Sequence, residues 1–214
     1  LAPFWKRLKR ARVRIRAVAI DMSPAYIAAV STNLPEAVIV FDHFHLIKLF
    51  NDKLSKLRRK LQRQAESTGK KVLKGTRWLL LKNPEHFSPE HNEKQRIEEA
   101  LRLNSSLATA YYLKEDLRQL WQQTDKPAAR AFLDDWIARA RASNVAMLHK
   151  FAQTLDDHRE GILAYFDFPI STGPLEGTNN KIKTLQKQAY GFRDLDFFKL
   201  KIYALHETRY ALVG

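Results

Sequence analysis

Cysteine is absent from the 214 residues of the sequence, which excludes disulfide bonds and thiolate zinc sites and fits a reducing compartment. No apolar run approaches the roughly 18 to 20 residues that cross a bilayer, so we predict a cytosolic protein without a membrane segment. Glycine is scarce, with 7 residues, whereas 45% of the residues are hydrophobic and 11% aromatic, as in a folded protein. This length allows one sizeable core or two small ones.

The sequence has fewer acidic than basic residues. The chain has 23 Asp plus Glu against 37 Lys plus Arg, a formal net charge of +14, and its first 20 residues contain no acid. The seven basic residues of the first sixteen are typical of a solvated face or a frayed arm. The excess of positive charge favours a polyanionic partner, with nucleic acid first, over a neutral or acidic one. A merely soluble basic surface is the alternative. The basic residues of this run are Lys6, Arg7, Lys9, Arg10, Arg12, Arg14 and Arg16.

Two short apolar runs each end at an aspartate. Residues 18–20 lead to Asp21, and residues 37–41 lead to Asp42. Continuous apolar runs of this length predict buried strands of a parallel or mixed sheet, and Ser23 with Pro24 predicts a helix start between them. Ligands of open α/β sheets lie beyond the carboxyl ends of the strands, which favours a chemical role for both aspartates. Each aspartate could instead cap the helix that follows it.

Helical periodicity dominates the rest of the chain. A long basic amphipathic helix is predicted from Phe44 onward, with Phe50, Leu54, Leu57 and Leu61 on one face. A loop is predicted at residues 69–75. Further helices are predicted at 88–103, 107–122, 127–142, 145–165, 175–188 and 197–212, with Gly191 ending the last but one. Trp78, Trp121 and Trp136 are interpreted as core anchors.

The segment from Pro174 to Arg193 sets Glu176 at the start of a helix that is rich in amides and lysines. A carboxylate in such surroundings can hold a divalent cation while its neighbours bind phosphate oxygens, as cutting of nucleic acid requires. The alternative is a glutamate favoured by the helix dipole on an ordinary solvated face. The predicted DNA-contacting residues are Asn180, Lys181, Lys183, Lys187 and Arg193.

Taken in order, Asp21, Asp42 with His45, a long helical stretch, and Glu176 with Tyr190-Gly191 resemble the catalytic domain of ISL3-type insertion-sequence transposases. The resemblance covers nearly the whole chain. It implies a fold of α/β class plus an all-α insertion: a partial RNase H-like core with a large helical insertion, predominantly helical overall. The implied parts are a strand-helix-strand core at 1–47, the insertion at 48–168 and C-terminal core helices at 169–214.

The family pattern also implies an Asp, Asp, Glu set that binds two Mg²⁺ (or Mn²⁺) ions. On that pattern Asp21 is the second ligand, Glu176 the last, and Asp42 with His45 an accessory pair. His45, three residues after Asp42, would share its helix face, whereas His43 is expected to point elsewhere and be exposed. Lys187 stands where the family more often has arginine. The lysine offers a point charge in place of the bidentate guanidinium group of arginine.

The first aspartate of the set would lie on a strand before Leu1, so we expect the chain to be inactive alone. The first methionine is Met22, which also predicts a natural start upstream. A second assignment makes Asp21, Asp42 and Glu176 a complete triad. It ranks lower because two of these acids would follow neighbouring parallel strands, whereas an RNase H-type site takes its first acid from the opening strand.

The function implied by the resemblance is metal-dependent phosphodiester hydrolysis at the ends of an insertion sequence, followed by strand transfer to target DNA. The implied partners are element-end and target DNA and, in the complete protein, further copies of the chain. The implied location is the bacterial cytoplasm, on the nucleoid. The alternatives are a non-catalytic DNA-binding remnant and a helical scaffold for assembly.

Overall fold

The computed structural model describes residues 2–11 and 14–207, which divide into two compact units, Leu1–Ile170 (unit 1) and Ser171–Gly214 (unit 2). Unit 1 contains α1 (Ala2–Arg10), β1 (Ala17–Ile20), α2 (Pro24–Asn33), β2 (Val38–Phe41), α3 (His43–Gln64), α4 (Ser67–Lys74), α5 (Glu93–Arg102), α6 (Ser105–Leu117), α7 (Lys126–Ala142), α8 (Ala146–Asp157) and α9 (Arg159–Leu163). Three 3₁₀ turns cover Pro84–His86, Arg118–Gln122 and Ala164–Phe166. Unit 2 contains α10 (Gly173–Gln188) and α11 (Leu195–Glu207).

The predicted strand-helix-strand unit is confirmed. Strands β1 and β2 pair in parallel, with Ala17 opposite Val38 and Ile20 opposite Phe41. Helix α2 crosses between them and starts with Pro24 after the cap residue Ser23, as predicted. The described residues hold only these two strands, so the predominantly helical class is confirmed while the RNase H-like core stays a prediction. The division at residues 1–47, 48–168 and 169–214 also stays a prediction.

Helix α9 approaches strand β2 through Gly161. A Cβ atom added at Gly161 would lie 2.4 Å from Cδ2 and 2.5 Å from Cε2 of Phe41, distances that real Cβ contacts do not show. The Phe41 ring also packs edge-on against His158, with ring centroids 5.0 Å apart. The lack of a side chain at Gly161 therefore lets the helix lie against the strand that leads to Asp42.

Gly161→Ala is expected to lower the free energy of unfolding by about 1 to 3 kcal/mol, because the added methyl group overpacks the contact with Phe41. Chemical denaturation followed by circular dichroism measures the change. Gly177→Ala in α10 is the matched control: its Cβ would meet nothing within 4 Å. Alanine is the better helix former, so the control should be neutral or stabilising. Equal effects of the two substitutions would contradict the close approach.

Helices α3, α6, α7 and α8 surround the main core. Trp136 lies at its centre with 0% exposure, packs against the rings of Phe50 and Phe151, and donates a 2.8 Å hydrogen bond from Nε1 to the carbonyl of Leu113. This confirms Trp136 as a core anchor. Trp121 is partly buried against the same core.

The same prediction is wrong for Trp78, whose side chain is 69% exposed. Its ring lies 4.7 Å from the guanidinium carbon of Arg77, on the surface. The short apolar segment that contains Trp78 forms turns, and its neighbours Leu79 and Leu80 are the residues that enter the core. A four-residue apolar run cannot show which of its side chains a turn directs inward.

The loop predicted at residues 69–75 is wrong, because α4 occupies most of it. Tertiary contacts stabilise this short helix: Leu73 is 3% exposed, and its carbonyl accepts hydrogen bonds from Arg58 (2.8 Å) and from the hydroxyl of Thr76 (2.9 Å). Burial lowers the pKa of Arg58, and the neighbouring cations Arg77 and Arg59 lower it further. Tertiary packing therefore overrides the low helix propensity of Gly69.

Two further helices differ from their predicted boundaries. Helix α5 begins at Glu93 and not at Ser88, because Ser88 donates its backbone N–H to the Glu93 carboxylate (2.8 Å) and the chain then turns through Asn92 in a left-handed conformation (φ 48°). The single helix predicted at 145–165 is broken at His158 into α8 and α9.

Part of the basic N-terminal run forms α1, with its lysine and arginine side chains exposed. Arg12 and residues 208–212 of the last predicted helix lie outside the described residues. Among the helices that the structure describes, none has the length and apolarity needed to span a membrane.

Candidate functional site

Asp21 directly follows β1 and shapes the entry to α2. Its Oδ1 atom accepts a 2.9 Å hydrogen bond from the backbone N–H of Ser23, while the Ser23 hydroxyl makes no capping bond. The side chain is half-buried, and its Oδ2 atom accepts no hydrogen bond from the described residues. Asp21 therefore holds the turn with one oxygen and keeps acceptor capacity on the other.

Asp42 follows β2 and caps α3. Its Oδ1 atom accepts a 2.8 Å hydrogen bond from the backbone N–H of Phe44, and its side chain is 1% exposed. Nδ1 of His45 lies 3.8 Å from Oδ2, and Nδ1 of His43 lies 3.7 Å from Oδ1. The capping alternative for Asp42 is therefore present in the structure, together with a neighbouring His45 on the first turn of the helix.

The side chain of His43 is 43% exposed, in line with the predicted exposure, although one of its ring nitrogens is not. Its Nδ1 atom is buried, and its ring packs against those of Trp121 (5.6 Å between centroids) and Tyr165 (5.9 Å). The contact comes from parts of the chain nearly 80 and more than 120 residues away, which a local pattern cannot show.

The parallel register brings the two aspartates to one edge of the sheet. Ile20 and Phe41 are partners at the carboxyl ends of β1 and β2, and the backbone N–H of Asp42 donates to the Ile20 carbonyl at 3.0 Å. Asp21 and Asp42 thus occupy the next matching positions on strands about 4.8 Å apart. Carboxylate oxygens are the ligands that a divalent cation prefers, and of these two aspartates Asp21 is the more exposed.

A cleft of about 370 Å³ opens beside Asp42, with His43, Asn51, Lys114 and Trp121 on its walls. Three buried polar atoms there form no hydrogen bond with the described residues: His43 Nδ1, Asn51 Oδ1 and Trp121 Nε1. A buried polar atom without a partner costs about 1 to 3 kcal/mol. These three atoms give the cleft hydrogen-bonding capacity that the described residues leave unused.

Lys114 is the buried cation of this cleft, with 1% exposure. Its ammonium donates to the Leu80 carbonyl (2.7 Å), lies 2.5 Å from the Glu115 carboxylate and sits 5.0 Å from the ring centre of Tyr111. Burial lowers the pKa of Lys114, against the opposing effect of Glu115, and burial raises the pKa of Tyr111 to about 12. Sequence reasoning gave Lys114 no role, because a helical lysine is expected to be solvated.

Helix α10 carries Glu176 in its first turn. Asn180, Lys183 and Lys187 follow Glu176 by 4, 7 and 11 residues, a spacing that places all four on one face of the helix. Lys181 lies about 140° away around the helix axis. The three face-sharing residues and Lys181 are exposed, and α10 buries none of its side chains. The four predicted DNA contacts on α10 thus separate into a coherent stripe of three and one residue, Lys181, outside it.

Tyr190 and Gly191 end α10 in a Schellman arrangement. The N–H of Gly191 donates to the Gln186 carbonyl (2.9 Å) and that of Tyr190 to the Lys187 carbonyl (3.1 Å). Gly191 has φ 100°, as predicted for the helix end, and Tyr190 also adopts a left-handed conformation (φ 50°). Arg193 lies two residues after Gly191 and is exposed. The turn therefore sets the direction in which the chain leads from α10 to Arg193.

Within unit 1 the structure brings Asp21, Asp42 and His45 to one sheet edge, and within unit 2 it aligns Glu176 with three of the predicted DNA contacts. No group of three or more His, Asp or Glu side chains suited to a metal ion forms among the residues described. A cation shared by Asp21 and Glu176 therefore stays a prediction. The donor set fits Mg²⁺ or Mn²⁺ chemically, because it consists of carboxylate oxygens.

Comparison with known proteins identifies the family. The ISL3 family model, described as a transposase, matches residues 1–202. The chain is 37% identical over 194 residues to the transposase for insertion sequence element IS1001 of Bordetella parapertussis, covering 89% of this chain and 47% of that protein. It is 27% identical over 203 residues to the transposase for IS1557 of Mycobacterium tuberculosis, covering 84% and 45%.

The chain thus spans about half the length of these relatives. No solved structure matches it significantly. The match covers the sheet edge with Asp21 and Asp42, the helices between, and the Glu176 helix. The chain belongs to the ISL3 family of transposases.

Proposed function

We propose that this chain is part of the catalytic region of a DDE transposase that hydrolyses phosphodiester bonds at insertion-sequence ends and joins the freed ends to target DNA. Its family membership supports a transposase role. The observation that carries the chemical part is the parallel register of β1 and β2, which sets Asp21 and Asp42 side by side at the carboxyl edge of the sheet.

Asp21 and Glu176 are the proposed ligands of Mg²⁺ or Mn²⁺. Asp21 suits this role because it is half-buried and keeps an oxygen that the described residues do not engage. When bound, the cation would act as a Lewis acid on water and phosphate. The part of this chain is to hold it, to orient the DNA strand and to neutralise phosphate charge.

Asp42 and His45 act as the accessory pair in this proposal. The Asp42 carboxylate fixes the first turn of α3 through the Phe44 N–H, and the imidazole of His45 lies beside it. Because Asp42 is nearly buried, it braces the edge that presents Asp21 and does not itself face solvent. This assignment leaves the complete triad of Asp21, Asp42 and Glu176 as the second choice.

The α10 stripe is the proposed contact with the cleaved strand. Asn180, Lys183 and Lys187 share the face of Glu176, so phosphates bound by the two lysines would lie next to the carboxylate. Arg193 extends this contact beyond the helix end, and Lys181 would contact a different part of the DNA. The proposed partners are DNA and further copies of the chain, in the bacterial cytoplasm.

Manganese binding tests the ligand assignment on this chain. Asp21→Asn is expected to weaken Mn²⁺ binding about tenfold or more, because an amide retains the size of the side chain but loses the charge that holds the ion. Electron paramagnetic resonance of free Mn²⁺ measures the affinity in the presence of DNA. Asp52→Asn, which removes an exposed carboxylate of α3, is the matched control and should leave binding unchanged. Unchanged binding in the Asp21 variant would exclude this residue as a ligand.

A further inference from the structure

We propose that unit 1 carries a second DNA-binding surface: a groove in which Lys53, Lys56, Lys60 and Lys150 bind the phosphates of a DNA backbone. We call it the lysine groove. It lies between α3 and the amino ends of α6 and α8, away from the cleft beside Asp42 and built from other residues. The inference rests on the proposed function, because it assumes that DNA is the partner.

The shape of the groove comes from three helices. Lys53, Lys56 and Lys60 recur at steps of three and four, which places them on one face of α3, and Lys150 faces them from α8. Ser106 of α6 and the turn before α8 complete the walls around a volume of about 450 Å³. Residues 53 to 60 span about 10 Å of helix axis. One strand of duplex DNA places about three phosphates along that length.

The charge of the groove is uncompensated. None of its lining residues is acidic, and none of its four lysines forms an ion pair in the described parts of the chain. Four ammonium groups around one open groove repel one another, and this repulsion is relieved only by a polyanionic ligand or by counterions.

The arginines of α7 to α9 show the contrast. Each of them is paired with a carboxylate, so positive charge on that side of unit 1 is neutralised within the fold. The pairs are Arg130 with Glu160, Arg139 with Asp116 and Asp135, Arg141 with Asp156, and Arg159 with Asp134 and Asp156. The four lysines of the groove have no such carboxylate partner among the described residues.

The start of α8 adds to the same potential. Its cap residue Val145 has no side-chain acceptor for the free N–H groups of the first turn, and Ala146 and Met147 of that turn line the groove. The positive end of a 12-residue helix thus faces the lysines. Backbone N–H groups and ammonium groups together form the usual contacts to phosphate oxygens, which give affinity without sequence preference.

The test compares two variants that lose the same charge. The groove variant replaces Lys53, Lys56, Lys60 and Lys150 by glutamine. The control variant replaces four exposed lysines elsewhere in unit 1, Lys6, Lys9, Lys74 and Lys94. Fluorescence anisotropy with duplex DNA, over a series of salt concentrations, measures affinity and the slope of log affinity against log salt for both.

The groove variant is expected to lose affinity 10-fold to 1000-fold at 0.1 M salt and to reduce the salt slope by about 2 to 4, since each phosphate contact contributes about 0.9. The control should lose only a few-fold. A second groove variant with arginine at all four positions should retain the affinity, which separates lost contacts from misfolding. Circular dichroism checks the fold of each.

The experiment distinguishes a failure of the lysine groove from a failure of the proposed function. If the groove and control variants lose the same affinity, the lysine groove is refuted while DNA binding itself stands. If the unmodified chain binds DNA with no dependence on salt, or not at all, the proposed function fails.

Discussion

Replacing Glu176 by glutamine is expected to lower strand cleavage at the element end by about 10³-fold or more, while DNA affinity changes little. Glutamine keeps the length of the side chain and the first turn of α10, but its amide cannot balance the charge of a divalent cation. The three exposed residues that share this face, Asn180, Lys183 and Lys187, remain in place to bind DNA. The variant should therefore separate binding from chemistry.

A gel assay of labelled element-end DNA in Mg²⁺ measures cleavage. Because the chain spans about half the length of its transposase relatives, the assay uses a protein extended to the start of its reading frame. Asp196→Asn is the matched control, since Asp196 is an exposed carboxylate in the first turn of α11. It should leave cleavage unchanged. Cleavage by the Glu176→Gln variant at the level of this control would remove Glu176 from the site.

Trp136→Ala is expected to lower the free energy of unfolding by about 3 to 5 kcal/mol. The side chain has no exposed surface, and its removal would leave a cavity between Phe50 and Phe151 that the surrounding helices cannot close. The Leu113 carbonyl would also lose the hydrogen bond from the indole. A loss of this size is a large part of the stability of a typical domain.

Trp78→Ala provides the matched control, because it removes the same side chain from a position that is 69% exposed. We expect a change within about 0.5 kcal/mol, as for most surface substitutions. Urea denaturation followed by far-ultraviolet circular dichroism measures both variants without relying on tryptophan fluorescence. Similar losses in the two would show that the core is not centred on Trp136.

The sequence predicts those parts of the fold whose causes are local. The strands around Val18 and Val40 are continuous apolar runs, and Ser23-Pro24 is a helix start in any context. The long helix α3 shows its apolar stripe at regular steps. Each of these elements appears where the sequence places it, within a few residues.

The misplaced elements depend on contacts between distant parts of the chain. Helix α4 forms because Arg58, fifteen residues before Leu73, binds its last turn. The burial of Lys114 depends on a carbonyl 34 residues earlier. Neither contact leaves a periodic signal in the sequence.

The candidate site also combines residues that local sequence patterns indicate with residues that only tertiary packing brings together. The ends of the two strands indicate Asp21 and Asp42 directly, since an acid after a buried strand is a local pattern. The stripe on α10 is readable from spacing once the helix is known. The lysine groove is not, because three of its lysines look like the ordinary solvated face of a basic helix until α6 and α8 are placed against it.

The contact between Gly161 and Phe41 links the proposed site to a position that takes no part in the proposed chemistry. Phe41 is the last residue of β2, and the next residue is Asp42. Any bulk gained at Gly161 would push on that ring and so on the backbone that carries the neighbouring acid. One methyl group at Gly161 would thus displace Asp42 while leaving every acidic side chain of the proposed site intact.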